Sequence, residues 1–185
     1  YRDTLRLLAE EPVYANDPTA RAIIRFDLAE AESNDGTRIA TLRQVADDAA
    51  LDANDPLKVG ALIRIASIEQ QRDQTDAART AFAQSGLAPN QCALIDAPPK
   101  RLSTGGTFPD EARRWGFEGM VKTQFDIDAE GKVVNQRAVL SYPPFVFDEA
   151  SRKTIGTSRY ARSYRPDGGL GCGAETARIL FRMGR

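Results

Sequence analysis

The chain has 185 residues, enough for one large or two small domains, each with a core of its own. With 42% apolar and 28% charged residues it has the composition of an ordinary globular protein, and no segment approaches the roughly 18 consecutive apolar residues of a membrane span. There is no histidine, which excludes the usual Ser-His-Asp and Cys-His nucleophilic arrangements and histidine-containing zinc sites.

The first hundred residues read as helices. Asp17-Pro18-Thr19 opens a segment with Ala22, Ile23, Phe26, Ala29 and Glu30 at helical spacing, closing near Asn34-Asp35-Gly36. A second helix is predicted from Thr37 to about Asp52, with Ile39, Leu42, Val45, Ala46 and Ala49 on one face. Asp55-Pro56 starts a third, in which Val59, Leu62, Ile63, Ala66 and Ile68 recur. Asp73 or Thr75 starts a fourth through Ala77, Ala78, Ala81 and Phe82, ending at Gly86. Asp or Thr at the starts, in two cases followed by proline, is the expected capping chemistry. The third and fourth helices resemble a tetratricopeptide hairpin, in Leu62, Ile65 and Ala66 on one and Ala78 and Phe82 on the other. Helix pairs start near Pro18 and Pro56, close to that repeat's period of about 34 residues. A generic four-helix array satisfies the same residues.

Charge divides the chain. Residues 1–99 hold 10 Lys/Arg and 16 Asp/Glu, a net of −6, while residues 100–185 hold 15 and 10, a net of +5. The change coincides with Pro98-Pro99, which predicts a helical domain over 1–97, a linker over 98–107 and a second domain over 108–185. The basic residues of the second half are spread among acids rather than clustered with aromatics, so no nucleic-acid partner is expected.

In the second half Pro109 suits a first helical turn, and Asp110 and Glu111 favour the positive end of the helix dipole. Ala112, Trp115 and Phe117 supply an apolar face, and Gly116 ends the turn. From Gly119 the period changes to two: Val121, Thr123, Phe125 and Ile127 face one way, Lys122, Gln124 and Asp126 the other. Asp128-Ala129-Glu130-Gly131 is hairpin chemistry, and the return strand carries Val133, Val134, Ala138, Val139 and Leu140 before Pro143-Pro144 stops it. A second helix begins at Phe147-Asp148-Glu149-Ala150, with Phe147, Ala150, Thr154 and Ile155 on its buried side. Tyr160 to Pro166 is extended. After Gly168, Gly169 and Gly171, the segment Glu175 to Met183 alternates, with Ala177, Ile179, Phe181 and Met183 inward and Thr176, Arg178, Leu180 and Arg182 outward. The expected fold is α+β: an all-α array followed by a small domain with a three-stranded antiparallel sheet covered on one face by two helices.

These residues carry a resemblance. Phe108-Pro109, Ala112 and Gly119-Met120-Val121, then Phe125-Asp126-Ile127 through Gly131-Lys132-Val133, then Phe147 to Ala150, Tyr164-Arg165-Pro166 and Ile179-Leu180-Phe181 resemble, in order, the C-terminal domain of the TonB family. The resemblance implies a periplasmic binding module rather than an enzyme, with no cofactor. Its implied partners are outer-membrane transporters, whose short TonB box adds as a strand to the exposed edge of the sheet. In this chain that edge is Glu175, Thr176, Ala177, Arg178, Ile179, Leu180, Phe181 and Arg182. Arg178 and Arg182 would also guard it against self-pairing into a homodimer. Inner-membrane motor proteins are implied as further partners through an anchor or signal expected upstream of Tyr1.

Two departures bear on this reading. The loop Gly168 to Gly173 contains a cysteine, and only Ala97-Pro98-Pro99-Lys100 stands where a long proline-rich spacer is usual, so a periplasmic scaffold or the accessory tail of a membrane-bound enzyme are the competing readings. Acid pairs such as Asp126 and Asp128 alternate toward solvent and suggest no hidden metal or glycosidase site. Cys92 and Cys172 make either one disulfide or two thiols. The oxidising compartment that the resemblance implies favours the disulfide, which closes a loop of about 80 residues and contributes about 4.5 kcal/mol in the chain-entropy treatment.

Overall fold

The computed structural model describes residues 1–96, 99–172 and 175–183. Pro98 of the Pro98-Pro99 boundary lies outside the described residues, as do Ala97 and the end of the Gly168 to Gly173 loop. The chain forms two compact units, Tyr1–Ala97 and Pro98–Arg185. Cys92 and Cys172 are joined as a disulfide.

The first unit consists of helices α1 (Arg2–Glu10), α2 (Pro12–Ala15), α3 (Pro18–Ala31), α4 (Asp35–Ala46), α5 (Pro56–Gln71) and α6 (Thr75–Gln84). Three of them start on a side-chain cap. Asp17 accepts from the Ala20 N–H at 2.9 Å, Asn34 from Thr37 at 3.0 Å and Asp55 from Leu57 at 2.8 Å. α3 packs on α4, α4 on α5 and α5 on α6. The central helix α5 buries Leu57, Ala61 and Ile65 in addition to the face read from the sequence, as a helix surrounded on most sides must. At Gly60 a Cβ would lie 2.5 Å from the Ile95 carbonyl oxygen, so the chain after α6 returns across α5 where only glycine leaves room. Ile23 is exposed, contrary to its place in the helical pattern.

The second helix stops at Ala46 rather than near Asp52, and Ala49 is exposed. Asp48 is the cause. Its carboxylate accepts from the Ala50 N–H at 3.0 Å and from the Arg21 guanidinium at 2.7 Å, turning the backbone out of the helix. That Arg21 bond, aided by Arg25, holds the Asp48 carboxyl below its ordinary value. A second buried acid, Glu32, receives Arg2 and Arg6 and fastens α1 to the end of α3.

The second unit runs β1 (Arg101–Ser103), α7 (Asp110–Trp115), β2 (Gly119–Ile127), β3 (Val133–Tyr142), α8 (Asp148–Gly156), β4 (Arg159–Tyr160) and β5 (Glu175–Phe181). The main sheet is antiparallel in the order β3-β2-β5, and β1 pairs with β4 in a separate two-stranded sheet that the periodicity did not announce. Gly131, at φ +79, places its Cα where a Cβ would meet the Tyr160 carbonyl at 2.0 Å, so the hairpin turn docks against β4. Val121, Thr123, Phe125 and Ile127 all face the core, as the alternation predicts.

That core has two parts. Phe125, Ile127, Val133, Ile155 and Tyr160 form one. Ala112, Val121, Phe147 and Phe181 form the other, where the rings of Phe147 and Phe181 stack at 4.5 Å and Phe108 meets both edge-on. Between them Thr123 and Ser151, both fully buried, satisfy each other by a hydroxyl–hydroxyl bond. The apolar face that the sequence predicts for α7 is not buried as a whole. Only Ala112 is buried, while Trp115 is 67% exposed and Phe117 is also exposed. The helix is six residues long and ends at Gly116, φ +69, so Trp115 and Phe117 lie at and beyond its last turn. Met183 follows the end of β5 and is exposed rather than inward.

Candidate functional site

The geometry of β5 follows from the hydrogen bonds around β2. The Gly171 N–H donates to the Ile127 carbonyl at 2.7 Å, so Ile127 is directed toward the β5 side of the sheet. Asp128 donates its N–H to Lys132 at 2.9 Å, toward the β3 side. Backbone groups alternate in direction along a strand, so Gly119, Val121, Thr123 and Phe125 bond to β5. Their register partners are Phe181, Ile179, Ala177 and Glu175, with no shift along the pairing. The intervening residues Thr176, Arg178 and Leu180 therefore direct both N–H and C=O away from β2. Among the described residues no strand lies on that side.

The other edge differs. β3 pairs with β2 through two irregularities, one between Lys122 and Thr123 and one between Gln124 and Asp126, and Asn135 has a positive φ of 53. Each extra residue on β3 breaks the alternation of its outward groups, a device that blunts an edge against pairing. Of the two edges, β5 is the regular one.

The residues predicted to bind a partner strand are all on this element or next to it. Thr176, Arg178 and Leu180 are exposed on the outer face; Glu175, Ala177 and Ile179 are half-buried toward the core. Phe181 is a core residue through its stack with Phe147, and Arg182 lies just past the strand. The next residue is tied down, since the Met183 N–H donates to the Glu118 carboxylate at 2.8 Å. Sequence reasoning missed the neighbour that the register supplies: Lys122 stands directly opposite Arg178, on the same exposed face. It also missed a groove of about 750 Å³ on the helical side of the unit, where Trp115, Phe117, Phe145 and Pro109 line the walls. The exposed aromatics of α7 were the available signal. Among the described residues no three His, Cys, Asp or Glu side chains gather closely enough to hold a metal ion.

Residues 105–168 match the family model described as Gram-negative bacterial TonB protein C-terminal. A curated relative, Protein TonB of Yersinia enterocolitica, is 36% identical over 63 residues, which is 34% of this chain and 25% of that protein. Residues 105–168 of the C-terminal unit are of TonB C-terminal type. A solution NMR structure of the Pseudomonas aeruginosa TonB CTD shares 26% identity, covers 50% of this chain and 93% of that one, and superposes with a TM-score of 0.40. The chain thus spans about a quarter of the length of the Yersinia protein. The family match ends before β5, so the edge of the sheet is read from its own geometry. No described helix of the chain is long and apolar enough to cross a membrane.

Proposed function

We propose that this chain is a TonB-like protein of the periplasm that engages outer-membrane transporters through its C-terminal domain. A short extended segment of the transporter adds along Glu175 to Arg182 as a fourth strand, and the protein serves energised uptake by binding rather than by catalysis. Inner-membrane motor proteins are the energy source in this reading. The helical unit Tyr1–Ala97 takes the place of a spacer.

The observation that carries the reading is the regular edge of β5. Three outward residues, each with a donor and an acceptor, offer about six backbone bonds to a strand of matching length. At roughly 0.5–1.5 kcal/mol net per bond, that is enough to hold a short segment after its ordering cost. It is too little for tight binding, as suits a contact that must be released.

The test is an amide-shift titration of the full chain with a peptide of TonB-box type. Shifts should concentrate at Thr176, Arg178 and Leu180, and Arg178→Pro should weaken binding about tenfold by removing an outward donor while the circular dichroism spectrum is retained. Shifts confined to the helical unit, with Glu175 to Arg182 silent, would refute the strand-addition mechanism.

A further inference from the structure

The register across the sheet arranges its outer face in three rows. Thr176, Gln124 and Arg137 form one, Arg178, Lys122 and Leu140 the next, and Leu180, Met120 and Tyr142 the last. The first row is internally satisfied, because the Arg137 guanidinium donates twice to the Gln124 side-chain oxygen, at 2.6 and 3.1 Å. The last row is an exposed apolar stripe, with Leu180 46% and Tyr142 70% accessible.

The middle row is in conflict with itself. Arg178 and Lys122 are directly opposite each other on adjacent strands, an arrangement that destabilises a sheet when the charges are alike. The same-face neighbours in register around the pair are Met120, Gln124, Thr176, Leu180 and Leu140, none of them acidic. A local conflict that no side chain among the described residues compensates is what a binding site looks like before its ligand arrives. Arg178 lies at the open end of that row, beside the edge that lacks a strand.

We propose that the Lys122–Arg178 pair selects the incoming strand by demanding an acidic side chain opposite Arg178, with apolar side chains two positions away, next to Leu180. The inference rests on the strand-addition reading above and adds its side-chain rule. A strand adds about 4.8 Å from β5, which sets its carboxylate within reach of the Arg178 guanidinium. The acid then turns a repulsive row of two cations into an alternating row. The same pair rejects basic segments. It also opposes self-pairing of two β5 strands centred on Arg178, which would bring four cations together.

The test uses the full chain and three peptides, Ser-Leu-Val-Glu-Val-Leu-Ser and its Gln and Lys counterparts at the central position. Their pattern is symmetrical about the centre, so it suits either strand direction. With the natural chain the Glu peptide should bind about fivefold tighter than the Gln peptide, and the Gln peptide tighter than the Lys peptide. The spread should shrink in 0.5 M salt, where charges are screened within about 4–5 Å. Arg178→Glu should reverse the order, and Lys122→Gln should reduce the advantage of the Glu peptide without altering the Gln peptide. Dispersed amide spectra of both variants show that folding is intact, since both positions are exposed. Equal binding of all three peptides, with shifts still at Thr176, Arg178 and Leu180, would overturn the selectivity rule and leave strand addition standing. Failure of every peptide to shift β5 would overturn both.

Discussion

Ile179→Pro and Arg178→Pro alter neighbouring residues of one strand, yet their costs to the unbound protein should differ by several kcal/mol. The Ile179 N–H faces β2, where the Val121 carbonyl is its register partner, and Val121 is fully buried. Proline there leaves a buried acceptor unpaired, at about 1–3 kcal/mol. It also removes a branched side chain that packs on both apolar clusters, adding about 1–2 kcal/mol. The Arg178 N–H faces away from the sheet, where proline is tolerated on an edge strand, so its cost should stay near 1 kcal/mol. Amide hydrogen exchange at Val121 and Thr123 in the full chain reads the opening free energy of this unit directly. Ile179→Pro should lower protection there more than a hundredfold, and Arg178→Pro by no more than about fivefold. Equal losses, or a larger loss for Arg178→Pro, would show that the outward set is Glu175, Ala177 and Ile179 instead. The assignment of the proposed binding edge's donors would then be wrong.

Two further outcomes are expected. The Asp48 carboxyl is held low by Arg21, so its contribution is full above the ordinary carboxylate pKa of about 4 and is lost as pH falls through the depressed native value; the helical signal of Tyr1–Ala97 should therefore melt earlier at pH 3 than at pH 7, and Asp48→Asn should remove most of that difference, whereas an unchanged pH dependence would refute the role. Thiol labelling of the unfolded, unreduced protein from the periplasm should find no free thiol until reductant is added; two labelled cysteines would disprove the Cys92–Cys172 bond.

The three main strands and the two helices over them were legible because the period changes visibly, from the first turn after Pro109 to the alternation that begins at Gly119. Burial along β2 follows that alternation through Val121, Thr123, Phe125 and Ile127. What failed was any inference resting on hydrophobicity alone. Trp115 and Phe117 are apolar but follow the helix's only buried residue, so they line a groove rather than a core. The pairing of β1 with β4 involves only Arg101–Ser103 and Arg159–Tyr160, too short for any period to show. The end of α4 was hidden because it depends on Arg21, far away in the chain, reaching the Asp48 carboxylate. The geometry of the proposed site was half visible. Alternation gave the outer set of β5, whereas the direction of its backbone groups and the placement of Lys122 beside Arg178 needed the register.

The unequal edges of the sheet also set a limit on assembly. A polymer of strands needs each molecule to accept at one side and donate at the other. Here β3 is interrupted twice and β5 is regular, so of the two edges of this sheet only β5 is suited to propagate pairing. Two copies that paired along this sheet would do so β5 to β5, about a two-fold axis and against the repulsion of their Arg178 side chains, and each would cover the regular edge of the other. Growth along this sheet would then stop at two. An open strand kept ready for a partner thus carries little risk of seeding fibres, because the opposite side of the same sheet is a chain stop.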